Sequence, residues 1–294
     1  MMTGFFWSVC FLLIFVGNRH IMKKILVIIV FALTCSIAHA EFPKGYKVEG
    51  SENVGGFIGC VYGDSAGTTI TNCFSTGSVS GTNSIGGFIG SMSSANGYSV
   101  SISNSYATGT VQGGDDSTGG FAGQVNCYSD GSISIWESYA TGNVISEMGY
   151  TGGFIGYANA TSTSGYLFID KSFATGDVET GGSVGTGGFI GCIEVNEQGN
   201  YAVITNSFAS GCLSATGSYG GFFGYANING YSDEFINISN NYYNSMNGED
   251  TSYWTGIQGQ DRDQGWFTSN VEDATGITLP DLFLPTQYRS RCNP

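Results

Sequence analysis

The sequence predicts an all-β protein that folds as a parallel β-solenoid (β-helix) of about six coils with a C-terminal capping segment. Three observations predict this class. A unit of about 33 residues recurs six times, its apolar residues alternate at a period of two, and 47 glycines accompany only four prolines in 294 residues. A unit of two or three short strands cannot bury its own apolar face, so the units must stack on one another.

The first 40 residues have the pattern of a leader. Residues 22–40 combine a charged start, the apolar run ILVIIVFAL and the small residues AHA, which predicts a signal peptide cleaved after Ala40. Residues 1–21 are interpreted as an extension upstream of the true start codon, and the alternative is a membrane anchor, which interrupting basic residues disfavour. Cys35 offers a lipidation alternative, for which the preceding residues match poorly. The leader predicts a protein that is secreted or held at the cell surface.

Cleavage of this leader changes the chemistry open to the chain. Both histidines and three basic residues are lost, which leaves six basic against 23 acidic residues and a net charge of −17. Such a surface repels phosphate backbones and anionic lipid, so we expect neither nucleic-acid binding nor stable membrane insertion. Without histidine, a Ser-His-Asp triad, a Cys-His pair and an H-E-x-x-H zinc site are excluded. We expect no catalytic residue and no cofactor.

Each repeated unit opens with two glycines and a phenylalanine. The first glycine recurs at intervals of 31, 33, 33, 35 and 33 residues. In a stack in register, equivalent residues lie about 4.8 Å apart, so six coils extend about 29 Å. The phenylalanines are therefore expected to form one ladder, whose members are Phe57, Phe88, Phe121, Phe154, Phe189 and Phe222.

A second block in each unit has the form I-x-N-x-F, and its period of two predicts that the three marked residues share one face of one strand. The isoleucines are expected to form a second ladder, of Ile70, Ile102, Ile135, Ile169, Ile204 and Ile238. The middle residue is asparagine in four copies, Asn72, Asn104, Asn206 and Asn240, which predicts a hydrogen-bonded column. The third and fourth copies have Glu137 and Lys171 instead, which we expect to pair across neighbouring coils.

These residues resemble the GLUG motif repeat, named for its glycine–leucine–variable–glycine core. VGGFIG (54–59), IGGFIG (85–90) and TGGFIG (151–156) match its first half, and NCFSTGSV matches its second, with Phe where the family commonly has Leu. The resemblance covers roughly residues 53–243, which form the predicted solenoid. Residues 41–52 are then an N-terminal cap, and residues 244–294 a C-terminal cap or the start of a further region.

The resemblance implies a bacterial surface repeat module of the adhesin type and identifies no ligand. We therefore expect a non-catalytic adhesion, binding or structural module whose partner is a cell-surface, glycan or matrix component. One alternative is a carbohydrate-active β-helix enzyme that uses paired carboxylates, for which Asp115 and Asp116 are among the candidates. The other is a passive spacer within a larger surface protein.

Calcium is the only metal with a sequence candidate. Asp261 and Asp263 in DRDQG alternate as the first ligands of a calcium loop do, but the third oxygen ligand and the closing glutamate are lacking. A surface turn is the favoured interpretation.

The sequence leaves two questions open: the bonding state of the cysteines and the role of one variable position in the repeat. The cysteines permit bridges within a coil, Cys60–Cys73 or Cys192–Cys212, or else are free thiols buried in the ladders. The position after G-G-F-x-G varies, as Cys60, Ser91, Gln124, Tyr157, Cys192 and Tyr225 in chain order. Any specificity is to be sought in such variable positions, because the invariant residues build the fold.

Overall fold

The computed structural model shows a parallel β-solenoid of six coils, numbered here by their ladder phenylalanines from Phe57 to Phe222. Every pairing between its strands is parallel and joins a strand to its equivalent in the next coil. Among the described residues, no helix is long and apolar enough to cross a membrane. The structure describes residues 46–160, 164–195, 199–228, 236–244, 260–262 and 275.

Sheet A has ten strands in two columns, which the long strand β21 joins. From one edge to the other, its strands are β1 (Lys47–Glu49), β6 (Ser78–Ser80), β11 (Val111–Gly113), β16 (Val144–Ser146), β21 (Val178–Gly187), β17 (Gly149–Gly152), β12 (Ser117–Gly119), β7 (Asn83–Gly86) and β2 (Glu52–Gly55), with β25 (Leu213–Gly220) also paired to β21.

Three further sheets complete each coil. Sheet B contains β3 (Ile58–Tyr62), β8 (Ile89–Ser94), β13 (Ala122–Cys127), β18 (Ile155–Asn159), β22 (Ile190–Val195) and β26 (Phe223–Ile228). Sheet C contains β4 (Thr68–Thr71), β9 (Ser99–Ser103), β14 (Ser132–Trp136), β19 (Tyr166–Asp170), β23 (Tyr201–Thr205) and β27 (Ile236–Ser239). Sheet D contains β5 (Phe74–Ser75), β10 (Tyr106–Ala107), β15 (Tyr139–Ala140), β20 (Phe173–Ala174), β24 (Phe208–Ala209), β28 (Tyr242–Asn244) and β29 (Gln260–Arg262).

The alternation seen in the sequence is clearest in sheet C. In β14, Ile133 and Ile135 are fully buried, while Ser132, Ser134 and Trp136 are partly exposed. Successive side chains of a strand point to opposite faces, so one face fills the core and the other meets solvent. The core therefore lies inside the coils, and sheet C presents a regular outer face.

The predicted single strand through I-x-N-x-F is wrong, because the chain turns a corner at the middle residue. In coil 3, Glu137 has a φ of 50° and separates Ile135 in sheet C from Tyr139 in sheet D. The left-handed region ends a regular strand, and asparagine enters it more readily than most residues. This backbone requirement explains the asparagines better than a ladder does.

A buried serine ladder accompanies this corner. In coil 3, the Ser138 hydroxyl donates to the carbonyl oxygen of Trp136 at 3.0 Å, and its oxygen accepts the backbone N–H of Ser105 at 3.3 Å. Ser105 does the same one coil earlier, and Ser172 and Ser207 do so further along. Each hydroxyl thus satisfies a backbone N–H of the preceding coil that the corner removes from the sheets, and it shares its acceptor carbonyl with the N–H of the preceding corner residue.

The second aromatic of the unit lies on the strand face opposite the core, and it is half-buried in coils 1 to 3 and buried in coils 4 to 6. In coil 3, Tyr139 is half-buried while the next residue, Ala140, is fully buried among the core residues. The outer rings still stack along the axis: centroids of Tyr106 and Tyr139 lie 4.8 Å apart, and those of Tyr139 and Phe173 lie 4.7 Å apart. The solenoid therefore has a second aromatic column, on the strand face opposite the phenylalanine ladder and the core.

The glycine pair allows two segments of backbone to approach closely. A Cβ on Gly120 would collide with the carbonyl oxygen of Gly153 in the next coil and press on the methyl group of Ala140. A Cβ on Gly119 would collide with the carbonyl oxygen of Ala122. The pair therefore brings sheet A against sheet B at a distance that no other residue permits.

Both predicted caps contribute strands to the sheets. In residues 41–52, Val48 of β1 pairs with Val79, the first of the valines that recur at this position. In residues 244–294, β29 pairs with β28 and extends sheet D beyond coil 6. The edge of sheet D at that end is therefore covered by a further strand, which reduces the hazard of an open edge.

Candidate functional site

The two predicted ladders run through the core. Ring centroids of successive ladder phenylalanines lie 4.7 to 4.8 Å apart, and five of the six rings are fully buried. The isoleucines face one another in register across sheet C, from Ile70 to Ile238. These twelve residues are brought together by the fold, and ten of them are buried and unavailable to a ligand; Phe57 and Ile238, in the first and last coils, are partly buried.

Glu137 and Lys171 occupy equivalent corners of neighbouring coils, as the register requires. The described residues show no ion pair between them; the pair that is formed joins Lys47 and Glu49 in β1. The asparagine column is seen once, where Asn240 Nδ2 donates to Asn206 Oδ1 at 3.2 Å.

The predicted calcium ligands are not brought together by described residues. Asp261 lies in β29 and Asp263 falls outside the described part of the chain, so the calcium prediction stays a prediction. The described residues contain no cluster of three His, Cys, Asp or Glu side chains that could hold a metal ion. Asp116, from a candidate acidic pair, accepts hydrogen bonds from Ser84 at 3.4 Å and Ser117 at 3.1 Å.

Four of the five described cysteines hold thiols, as the second alternative predicted, and the fifth is disulfide-bonded. Cys60, Cys73, Cys127 and Cys192 are not disulfide-bonded, so neither bridge within a coil is formed. Cys212 is disulfide-bonded, and since Cys192 is free, Cys192 is not its partner.

The variable residues that follow G-G-F-x-G form one column on sheet B, in register from Cys60 to Tyr225. Tyr157 in this column donates a hydrogen bond to Glu194 Oε2 at 2.7 Å. The column thus has small or polar residues in coils 1 to 3, a tyrosine in coils 4 and 6, and Cys192 between them, and the carboxylate partner of Tyr157 lies beside the column in coil 5.

The outer face of sheet C carries a group of aromatic side chains that the sequence reasoning missed. Trp136, Tyr166 and Phe168 are partly exposed, and Tyr201 retains 37% of its accessible surface. They lie on three adjacent strands, β14, β19 and β23, and the rings of Tyr166 and Tyr201 are 5.9 Å apart between centroids. We call these four residues the aromatic patch. Single exposed aromatics are ordinary, but a group on neighbouring strands indicates an interaction surface.

Hydrogen-bonding groups lie beside the aromatic patch. Asp170 pairs in register with Trp136, and its Oδ1 accepts hydrogen bonds from Thr205 Oγ1 and Asn206 Nδ2, each at 2.8 Å. A flat surface with ring faces and a fixed carboxylate can contact both the apolar and the polar sides of an amphipathic ligand.

A signal for the aromatic patch was present in the sequence. In coil 2, the outward positions of sheet C are all serine: Ser99, Ser101 and Ser103. The equivalent positions of coil 4 are Tyr166, Phe168 and Asp170. Comparison of the outward residues between copies, rather than of the invariant ones, would have located the patch.

Comparison with known proteins gives one family match. No curated protein and no solved structure matches the chain. The family model described as the GLUG motif matches residues 50–80, which run from the end of β1 through the whole of coil 1 to β6. The remaining coils repeat the geometry of this matched unit strand by strand. The chain is therefore a β-solenoid of repeated units that contains the GLUG motif at residues 50–80.

Proposed function

We propose that this protein is an exported, non-catalytic surface module that binds a glycan through the aromatic patch. The observation that carries the proposal is the placement of Trp136 beside Asp170 on a flat outer sheet. Sugar rings have an apolar face of C–H groups that packs on an aromatic ring, and hydroxyls at their edge that bond to a carboxylate or amide. An extended polysaccharide suits a surface that repeats every 4.8 Å or so along one axis.

Export and location belong to the same proposal. The predicted signal peptide, cleaved after Ala40, supports secretion or retention at the cell surface, and the excess of acidic residues argues against a nucleic-acid partner. A module with the GLUG motif in a stacked solenoid is compatible with a role in adhesion or as a structural element of the surface.

The test is a glycan and matrix array probed with the purified protein. Trp136→Ala should weaken binding to the recognised glycan by more than about tenfold, because a buried tryptophan contact commonly contributes about 2 kcal/mol or more. Thr69→Ala is the matched control, since Thr69 is an exposed outward residue of the same sheet in coil 1. Equal loss in both variants, or none in Trp136→Ala, would contradict the proposal.

The same glycans separate the two alternatives. Release of new reducing ends, abolished by Asp116→Asn, would establish a carbohydrate-active enzyme. Absence of binding on every array surface would favour the passive spacer. Binding without turnover is the outcome that we expect.

A further inference from the structure

A second cluster spans sheets A and B, whereas the aromatic patch lies on sheet C. The rings of Tyr150 and Tyr157 stack with centroids 5.3 Å apart and an angle of 23° between their planes. The Tyr157 hydroxyl donates a hydrogen bond of 2.7 Å to Oε2 of Glu194, which lies in the next coil. We call Tyr150, Tyr157, Cys192, Glu194 and Tyr225 the tyrosine cluster. It presents half-buried ring surface with a carboxylate at its edge.

Tyr225 is the third tyrosine of the cluster, and it fits there because the residue beside it, Gly185, has no side chain. A Cβ on Gly185 would lie 3.0 Å from the Cβ of Tyr225. The equivalent position holds Tyr150 one coil earlier, in the register of β17 with β21. Glycine at this place therefore leaves room for a third tyrosine in coil 6.

The cluster carries the negative charge of Glu194. Burial, then the charges of neighbouring groups that include Glu194 and Asp116, raise the pKa of Tyr150 to about 12. Burial, then the hydrogen bond with Glu194 and its charge, raise the pKa of Tyr157, so both tyrosines stay neutral at physiological pH. No described lysine forms an ion pair with Glu194.

We propose that the tyrosine cluster binds the ammonium group of a lysine side chain from a protein partner. A cation over the face of a tyrosine ring is attracted by its quadrupole, and the attraction strengthens when water is partly excluded. An N–H donor of the ammonium bonds to Glu194, whose Oε1 accepts no hydrogen bond from the described residues. The four-carbon stem of lysine packs along the rings.

A primary ammonium fits this cluster better than a quaternary one. Glu194 offers an acceptor to the N–H groups of a primary ammonium, whereas a quaternary ammonium has no N–H group to donate. A carboxylate left beside rings without such a donor is unfavourable. The site is distinct from the aromatic patch, so its failure leaves the glycan proposal standing.

The test is calorimetric titration of the purified protein with Nα-acetyl-lysine methylamide. We expect weak saturable binding, with a dissociation constant in the range of about 1 mM that rises with salt. Glu194→Gln should weaken it at least tenfold, because the amide keeps the hydrogen bond from Tyr157 and loses the charge. Glu179→Gln is the matched control, since Glu179 is an exposed acid of β21.

Several outcomes would overturn the proposal. They are no binding by the unaltered protein at probe concentrations well above 1 mM, equal binding by Glu194→Gln, or equal binding of the probe acetylated at Nε. Tighter binding of choline or of glucosamine would assign the cluster to a quaternary ammonium or an amino sugar, and would also overturn the assignment to lysine. Thermal unfolding of each variant verifies that it is folded.

Discussion

The corner residue of each coil adopts a left-handed backbone whatever its side chain. The φ angles of the six residues lie between 46° and 56°, and they belong to Asn72, Asn104, Glu137, Lys171, Asn206 and Asn240. Asparagine tolerates this region, whereas most other residues are strained in it by about 1–2 kcal/mol. Coils 3 and 4 therefore hold an unfavourable residue where the other four coils hold a favourable one.

Relief of this strain is a prediction that a single substitution tests. Glu137→Asn should stabilise the protein by about 0.5–1 kcal/mol, measured as the free energy of unfolding in urea. Glu147→Asn is the control, because Glu147 is also an exposed acid but does not have a positive φ. The same gain in both variants would show that the removed charge, and not the backbone, is responsible.

The serine that follows the corner accepts a hydrogen bond from a buried backbone N–H of the preceding coil. Ser138→Ala should destabilise the protein by about 1–3 kcal/mol, because it leaves the buried N–H of Ser105 without an acceptor. Ser134→Ala, on the outer face of β14, should change the free energy of unfolding by about 0.5 kcal/mol or less. A loss below 0.5 kcal/mol in Ser138→Ala would mean that water replaces the hydroxyl.

At the scale of the element, the stacking columns could be predicted from the sequence, whereas the ends of the strands could not. A column of identical residues at a constant period requires register, so the phenylalanine and isoleucine ladders follow from the repeat itself. The corner does not follow from the repeat. A straight strand and a strand interrupted by a left-handed residue can have the same alternation of apolar and polar residues. The prediction that Tyr139 shares a strand face with Ile135 is therefore wrong, because Tyr139 lies outside the core.

The candidate site escaped prediction for the opposite reason. Repeats reveal what is conserved between copies, and the aromatic patch consists of positions that differ between copies. Trp136 and Phe168 stand where coil 2 has serine, so they weaken the repeat signal rather than strengthen it. The variable column that ends in Tyr157, Cys192 and Tyr225 was noticed for this property, while its carboxylate partner Glu194 was visible only in the fold.

The phenylalanine ladder should tolerate leucine and not alanine. Phe154→Leu keeps most of the apolar volume and should cost about 1–2 kcal/mol of stability, whereas Phe154→Ala opens a cavity and should cost about 3–5 kcal/mol. Phe168→Ala removes the same ring from the outer face and should cost less than Phe154→Ala, because Phe168 is only partly buried. Urea unfolding of the three variants gives the comparison; equal losses for Phe154→Ala and Phe168→Ala would contradict the assignment of the ladder to the core.

At the scale of the whole molecule, the stack places like side chains next to like. This arrangement suits rings and aliphatic groups, which gain from contact with their own kind, and it is costly for charges. Among described residues the core accordingly contains no charged side chain, and its titratable groups are thiols and the edges of tyrosines. The folded state therefore holds those groups in their neutral form.

Stability should fall at alkaline pH for this reason. Burial raises the pKa of the Cys127 thiol to about 12, and burial followed by the charge of Tyr106 raises the pKa of Tyr139. A group whose pKa is higher in the folded than in the unfolded state contributes stability below its unfolded pKa and loses it as pH rises towards its folded pKa. The free energy of unfolding should thus decrease from about pH 9 to pH 12, by up to 1.4 kcal/mol or so per pH unit for each such proton.

Cys127→Ala provides the sharpest measurement of this slope. Its urea unfolding between pH 9 and 11 should lose less stability per pH unit than that of the unaltered protein, by roughly one proton's contribution. Ile133→Val disturbs the same fully buried core without removal of a titrating group, so its slope should match that of the unaltered protein. An unchanged slope in Cys127→Ala would show that the thiolate is accommodated in the fold, and the Cys127 thiol would then be open to solvent at high pH.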